Sequence, residues 1–244
     1  LPMRKLHLVI AMAALALCAS SALAEDVWGG PPQGLTGYPD PDVSWDRGAP
    51  GSTYQHWTFP DPGLMGPQDF DNPYGPNPPS AQLEEPTNWE WVEVTGPDGE
   101  TPVTGWHANR QDQGDSTIIL HIPNTPDPNL VKYIFMQMTS TKAPRSVTPV
   151  GVGAGSPYSS GTWSTGLPQI QHENPPGSPT GWYTYNYGLS IQPNPESEDI
   201  VITMPYCGTI DQIVVDTICI PEPATLGLLS LGGLGVLARR RRLG

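Results

Sequence analysis

Apolar and polar residues alternate with a period of two through much of the stretch from residue 53 to residue 220. That period sends successive side chains to opposite faces of an extended backbone, so it predicts β-strands. The runs are Thr53–Phe59, Asn88–Thr95, Pro102–Ala108, Ser116–Ile122, Leu130–Ser140, Trp182–Gln192, Asp199–Tyr206 and Ile210–Ile220. Ile118, Leu120 and Ile122 share a face, as do Ile200, Ile202 and Met204. In Leu130–Ser140 both faces are apolar, with Ile134, Met136 and Met138 on one and Val131, Tyr133 and Phe135 on the other. A strand covered on both sides reads this way. No stretch between the termini shows a capped 3.6-residue period.

Turn chemistry separates the runs. Pro97-Asp98-Gly99, Pro193-Asn194-Pro195 and Cys207-Gly208-Thr209 each favour a chain reversal. Short strands, frequent turns and no helices predict an all-β protein, a β-sandwich of jelly-roll-like form. The closing run Thr209–Asp216 resembles the last strand of exported jelly-roll modules of the carbohydrate-binding kind. The chain has 31 Pro and 27 Gly, a level near that of disordered proteins, but eight Trp and nine Tyr supply a core. The expected division is 1–24 as a signal peptide, 25–87 as a Pro/Gly/Asp-rich linker with one strand at 53–59, 88–220 as the sandwich, and 221–244 as a sorting and anchor segment.

The two ends change the picture most. Met3 reads as the initiator, Arg4 and Lys5 as a positive leader, Leu8 to Leu17 as an apolar core, and Ala22 and Ala24 as a small-x-small cleavage site. At the other end stand Pro221, Glu222 and Pro223, then an uncharged run from Ala224 to Ala238, then Arg239, Arg240, Arg241 and Arg242. The run would form a helix of roughly 22 Å at about 1.5 Å per residue, short for a hydrocarbon core. The arginines would hold their end cytoplasmic and lengthen the usable span by snorkelling. Gly227, Gly232, Gly233 and Gly235 weaken such a helix, which suits a processed signal better than a lasting anchor.

This arrangement resembles the PEP-CTERM sorting signal of Gram-negative bacteria. The resemblance covers about a tenth of the chain and rests on Pro221, Glu222 and Pro223, the run 224–238 and the four arginines. It implies processing by exosortase, a membrane-embedded transpeptidase-like enzyme. It also implies inner-membrane anchoring through the C-terminal helix before processing, and an outer-envelope or extracellular destination after it.

Charge sharpens the reading of what lies between. Of 24 acidic and 11 basic residues, all the acidic ones except Glu222 lie in 25–220, but only Arg47, Arg110, Lys132, Lys142 and Arg145 of the basic ones do. That part carries −18, against −13 overall. Such a surface repels nucleic acid, so no nucleic-acid partner is expected.

Candidate chemistry is sparse. His56, His107, His121 and His172 are isolated, with no metal-ligand spacing between them. No serine lies in a nucleophile elbow, and Gly151-Val152-Gly153-Ala154-Gly155 lacks the lysine of a phosphate loop and reads as a loop. Asp40, Asp42 and Asp46 lack the other ligands of a calcium loop. Glu196, Glu198 and Asp199 read as an exposed turn. No catalytic residue, metal or cofactor is therefore expected, and no enzyme. Trp163, Trp182, Tyr183 and Tyr185 are candidate glycan contacts, because sugar rings stack on aromatic faces. The competing reading makes Tyr183, Tyr185, Tyr187, Leu189 and Ile191 the core face of their strand, with Thr184, Asn186 and Gln192 solvated opposite. Cys207 and Cys219 flank the final strand. If that strand is continuous they stand roughly 35–40 Å apart, too far for a disulfide. The expected role is an exported structural protein associated with exopolysaccharide. The alternative is a glycan-binding jelly roll displayed at the surface.

Overall fold

The computed structural model describes residues 45–221, apart from 76, 97–98, 100, 110–113, 125–126, 128, 153–171, 174–180 and 193. Twelve strands are found there: β1 Ser52–Trp57, β2 Asp69–Asp71, β3 Ser80–Glu84, β4 Trp89–Thr95, β5 Pro102–Ala108, β6 Ser116–Pro123, β7 Leu130–Ser140, β8 Ser146–Val152, β9 His172–Glu173, β10 Tyr183–Ile191, β11 Ser197–Met204 and β12 Thr209–Pro221. They form two antiparallel sheets. The first runs β2-β1-β12-β7-β10-β9, with β5 joined to the start of β12 and β4 to β5; the second runs β3-β6-β11-β8. The all-β sandwich predicted from alternation is present. The first strand lies beside the last, with Ser52 opposite Ile218 and Trp57 opposite Ile213.

The boundary of the folded part moves. Residues 25–87 read as linker with one strand at 53–59; that strand is β1, an internal strand of the first sheet, and β3 in addition pairs with β6 from Ser80↔His121 to Glu84↔Thr117. Ala81 and Leu83 alternate inward from β3 into the core. The sandwich therefore takes in residues 52–87 and runs through Pro221. The sequence reading also passed over β2, β8 and β9, each at the margin of a sheet. β8 contains Pro149, which a sheet tolerates at an edge and not inside.

The core lies between the sheets. From the first sheet come Trp57, Ile134, Met136, Met138, Tyr185, Tyr187, Ile191, Ile213 and Val215. From the second come Ile118, Leu120, Ile122, Ile200, Ile202 and Met204. Burying such side chains contributes about 1.5–3 kcal/mol each, which makes this interior the main source of stability. Trp89 and Trp106 extend the core beneath the β4–β5 hairpin. The hairpin approaches β12 very closely: a Cβ on Gly105 would lie 2.0 Å from the Ile210 carbonyl oxygen. Only glycine fits there. Just beyond, β12 carries an irregularity between Ile210 and Gln212, so Asp211 is the extra residue of a bulge.

The first sheet is covered on its outer face as well. Trp45 packs there with Val131, Tyr133, Phe135 and Ile218, and Ala49 and Ile220 border the cluster. This explains why β7 is apolar on both faces. Thr184 and Asn186, read as solvated, are buried on that outer face at 1% and 4% exposure. Alternation had grouped the right residues but says nothing about what a face meets.

Candidate functional site

The end of β12 carries the feature with the clearest functional meaning. Its outward side chains Ile218 and Ile220 meet the Trp45 cluster, and its inward Cys219 faces the end of the sandwich. The register opposite β7 is Cys219↔Lys132, Ile220↔Val131 and Pro221↔Leu130. On the other side, pairing with β1 stops at Ser52↔Ile218, apart from one bond from the Cys219 amide to the Gly51 carbonyl at 3.1 Å. Gly51 has φ 82°, a left-handed conformation that favours glycine. Pro221 has no N–H to donate, and it sits where the strand has a neighbour on one side alone.

Beneath this end lies a polar plug. Lys132 reaches across from β7 to Glu198 on β11, Nζ to Oε1 2.6 Å, and both side chains are fully buried. Burial pushes the Glu198 carboxyl up, and the Lys132 ammonium pulls it back. Asn124 donates to the Asn194 side-chain oxygen and, at 3.1 Å, to the Pro195 carbonyl. The Cys219 thiol lies 3.6 Å from Asn124 Oδ1 and is pushed up chiefly by burial. Glu198 was read as part of an exposed acidic turn. It is instead the buried partner of a lysine, because β11 begins at Ser197 and points it inward. A signal existed: Lys132 continues the face of Ile134, Met136 and Met138, and Glu198 that of Ile200, Ile202 and Met204. One charge of each sign at the end of two facing apolar rows marks a buried pair.

On the outer face, Arg47 holds Asp216 by two bonds, Nε to Oδ1 at 2.6 Å and a terminal nitrogen to Oδ2 at 2.7 Å. The same guanidinium lies 3.8 Å from the centre of the Tyr54 ring. This clamp fastens the segment before β1 to the middle of β12.

Of the candidate glycan contacts, Trp182 and Tyr185 present no open ring face among the described residues. Tyr185 is 3% exposed within the core, and burial, with neighbouring Tyr183, pushes its hydroxyl up to about 12. Trp182 is 2% exposed and donates its ring N–H to the Thr95 carbonyl at 2.9 Å. Tyr183 is partly buried against the same core, its ring 6.1 Å from that of Tyr185. Stacking needs an open ring face, so Trp182 and Tyr185 are withdrawn as contacts; the stripe is a core face. Trp163 lies outside the described residues, as do Ala22, Ala24, Glu222, Pro223, the run 224–238 and Arg239–Arg242.

The other chemical candidates stay apart. His121 Nδ1 meets Asp199 Oδ1 at 2.8 Å on the second sheet, His56 Nε2 meets Gln212 Oε1 at 2.8 Å on the first, and His107 Nδ1 meets Thr209 Oγ1 at 2.9 Å. Among the described residues no three His, Cys, Asp or Glu gather as a metal site, and no helix is long and apolar enough to cross a membrane. Cys207 and Cys219 are free thiols at opposite ends of the continuous β12.

No curated protein matches the chain. A family model does match it at residues 220–242, so its first two residues belong to β12 and the remainder follows directly from that strand. That model describes the PEP-CTERM protein-sorting motif, so the chain carries the signal by which exported proteins are sorted by exosortase.

Proposed function

We propose that this is a non-enzymatic structural protein of the cell envelope or extracellular matrix, associated with exopolysaccharide. It is anchored in the inner membrane through residues 224–238 until exosortase processes the tail, and then passes to the outer envelope or the medium. The observation that carries the reading is the direct continuity of an acidic β-sandwich with a sorting motif that begins inside its last strand. A body carrying −18 over residues 25–220 stays soluble and repels nucleic acid and anionic lipid.

The test is made in cells that carry the enzyme and its extracellular polymer. Replacing Pro221, Glu222 and Pro223 together by Ala leaves the tail attached and the protein in the membrane fraction. The unaltered protein loses mass at its C-terminus and sediments with extracellular polysaccharide. Free protein in the medium, unchanged when the polysaccharide is removed by enzymatic digestion, would overturn the association. Hydrolysis of the polymer by the purified protein would overturn the non-enzymatic role.

A further inference from the structure

We infer that the folded domain guards its own sorting signal: Ile220 and Pro221 are held either by β7 or by the processing enzyme, never by both. The inference rests on the sorting reading above and adds its regulation. The matched stretch starts at Ile220, yet Ile220 lies opposite Val131 and Pro221 opposite Leu130, so the signal begins as part of the first sheet. Ile220 also packs against the cluster of Trp45, Val131, Tyr133, Phe135 and Ile218. An enzyme that reads the stretch from its first residue needs it as an extended peptide free on both edges. Binding therefore requires Ile220 and Pro221 to leave β7 and the cluster.

The structure makes that release local. Beyond Ile218, β12 has lost β1 as a neighbour, so among the described residues the backbone of Ile220 and Pro221 is paired with β7 alone. A strand end held on one side opens far more readily than a strand centre. The opening stops at Cys219. Its amide is tied to Gly51, its thiol lies against Asn124, and it stands opposite Lys132, whose ammonium is locked to Glu198. The partner is thus an enzyme with a groove for extended backbone, able to take two residues from the sheet without unfolding the sandwich. A domain that has not yet folded would present the signal without this competition.

Protein carrying Cys207→Ser and Cys219→Ser, whose one remaining native thiol is Cys18 in the expected signal peptide, tests this in cells that carry the processing enzyme. Adding Val131→Cys and Ile220→Cys places two cysteines directly opposite, at a separation that a disulfide spans. The stapled protein should lose its tail at least tenfold more slowly than the Ile220→Cys variant alone, which controls for the change within the matched stretch. Equal rates, with the disulfide verified by mass, overturn the inference. Hydrogen exchange on the unstapled protein gives a readout without the enzyme. The Ile220 amide should exchange at least tenfold faster than that of Val214, and equal protection overturns local release. If no version ever loses its tail, the sorting reading itself fails and this inference falls with it; slowing confined to the staple separates the two.

Discussion

Lys132 on the first sheet and Glu198 on the second meet 2.6 Å apart, and neither side chain reaches solvent. A buried pair of this kind tolerates joint removal far better than the loss of one member, which strands a charge in the interior. Lys132→Met should cost about 3–5 kcal/mol, and so should Glu198→Leu. The double variant should recover most of that loss, since Met and Leu extend the apolar rows already formed by Ile134 and Ile200. Urea unfolding of all four proteins checks this; two losses that simply add would show that the pair is not coupled.

Asp211 makes stability depend on pH in an unusual direction. It is 6% exposed in the β12 bulge, its Oδ2 has no hydrogen-bond partner among the described residues, and burial pushes its carboxyl up to about 7. An unfolded chain releases that proton near pH 3.9. Between the two values the folded protein holds more protons than the unfolded chain, so stability falls as pH rises from about 4 to about 7 and stays lower above that. Asp211→Asn removes the effect. The variant should match the parent at pH 4 and exceed it by roughly 2–4 kcal/mol at pH 8. Subtracting one unfolding curve from the other at each pH cancels the remaining groups, and a difference that does not change with pH refutes the assignment.

Gly105 offers a steric test. A methyl group there would collide with the Ile210 carbonyl, whereas one on Gly66 meets nothing within 4 Å. Gly105→Ala should destabilise by more than the roughly 1–3 kcal/mol typical of overpacking, because backbone must move rather than a side chain. Gly66→Ala should stay within about 0.5 kcal/mol of the parent. Thermal unfolding of the two variants side by side decides the matter.

Arg47 should act as a clamp that lysine cannot replace. Its two bonds to the fully buried Asp216 and its position over Tyr54 use the planar fork of the guanidinium. Arg47→Ala leaves a buried carboxylate poorly compensated, at about 2–3 kcal/mol. Arg47→Lys should recover less than half of that. Proteolysis near residues 45–51 should rise in both variants, and unchanged cleavage would argue that the segment is held by Trp45 alone.

Much of this architecture was written in the alternation. Leu130–Ser140 and Pro102–Ala108 were bounded to the residue, because each is an internal strand or hairpin arm with a strong apolar rhythm. Marginal strands escaped notice for the opposite reason. β3 offers just Ala81 and Leu83, and β8 is interrupted by Pro149. The sorting motif was legible because a short tripeptide with a defined flank suffices to specify it. Its docking on β7 was not, since a sequence pattern that marks a strand end cannot show which neighbour accompanies it. Glu198 escapes a sequence reading because Pro193-Asn194-Pro195 just before it predicts a turn longer than the one that forms.

The place of β12 between β1 and β7 also sets the timing of folding. A chain that crosses a membrane N-terminus first delivers β1 through β11 to the far side before its shared neighbour arrives. Until then β1 and β7 each lack a neighbour along one edge, and the contacts that join the beginning of the domain to its end cannot form. Such long-range closure is the slow part of building an all-β domain. The sandwich therefore cannot be completed before residue 221 has cleared the channel. Placing the central strand last ties the completion of the domain to the arrival of its address label.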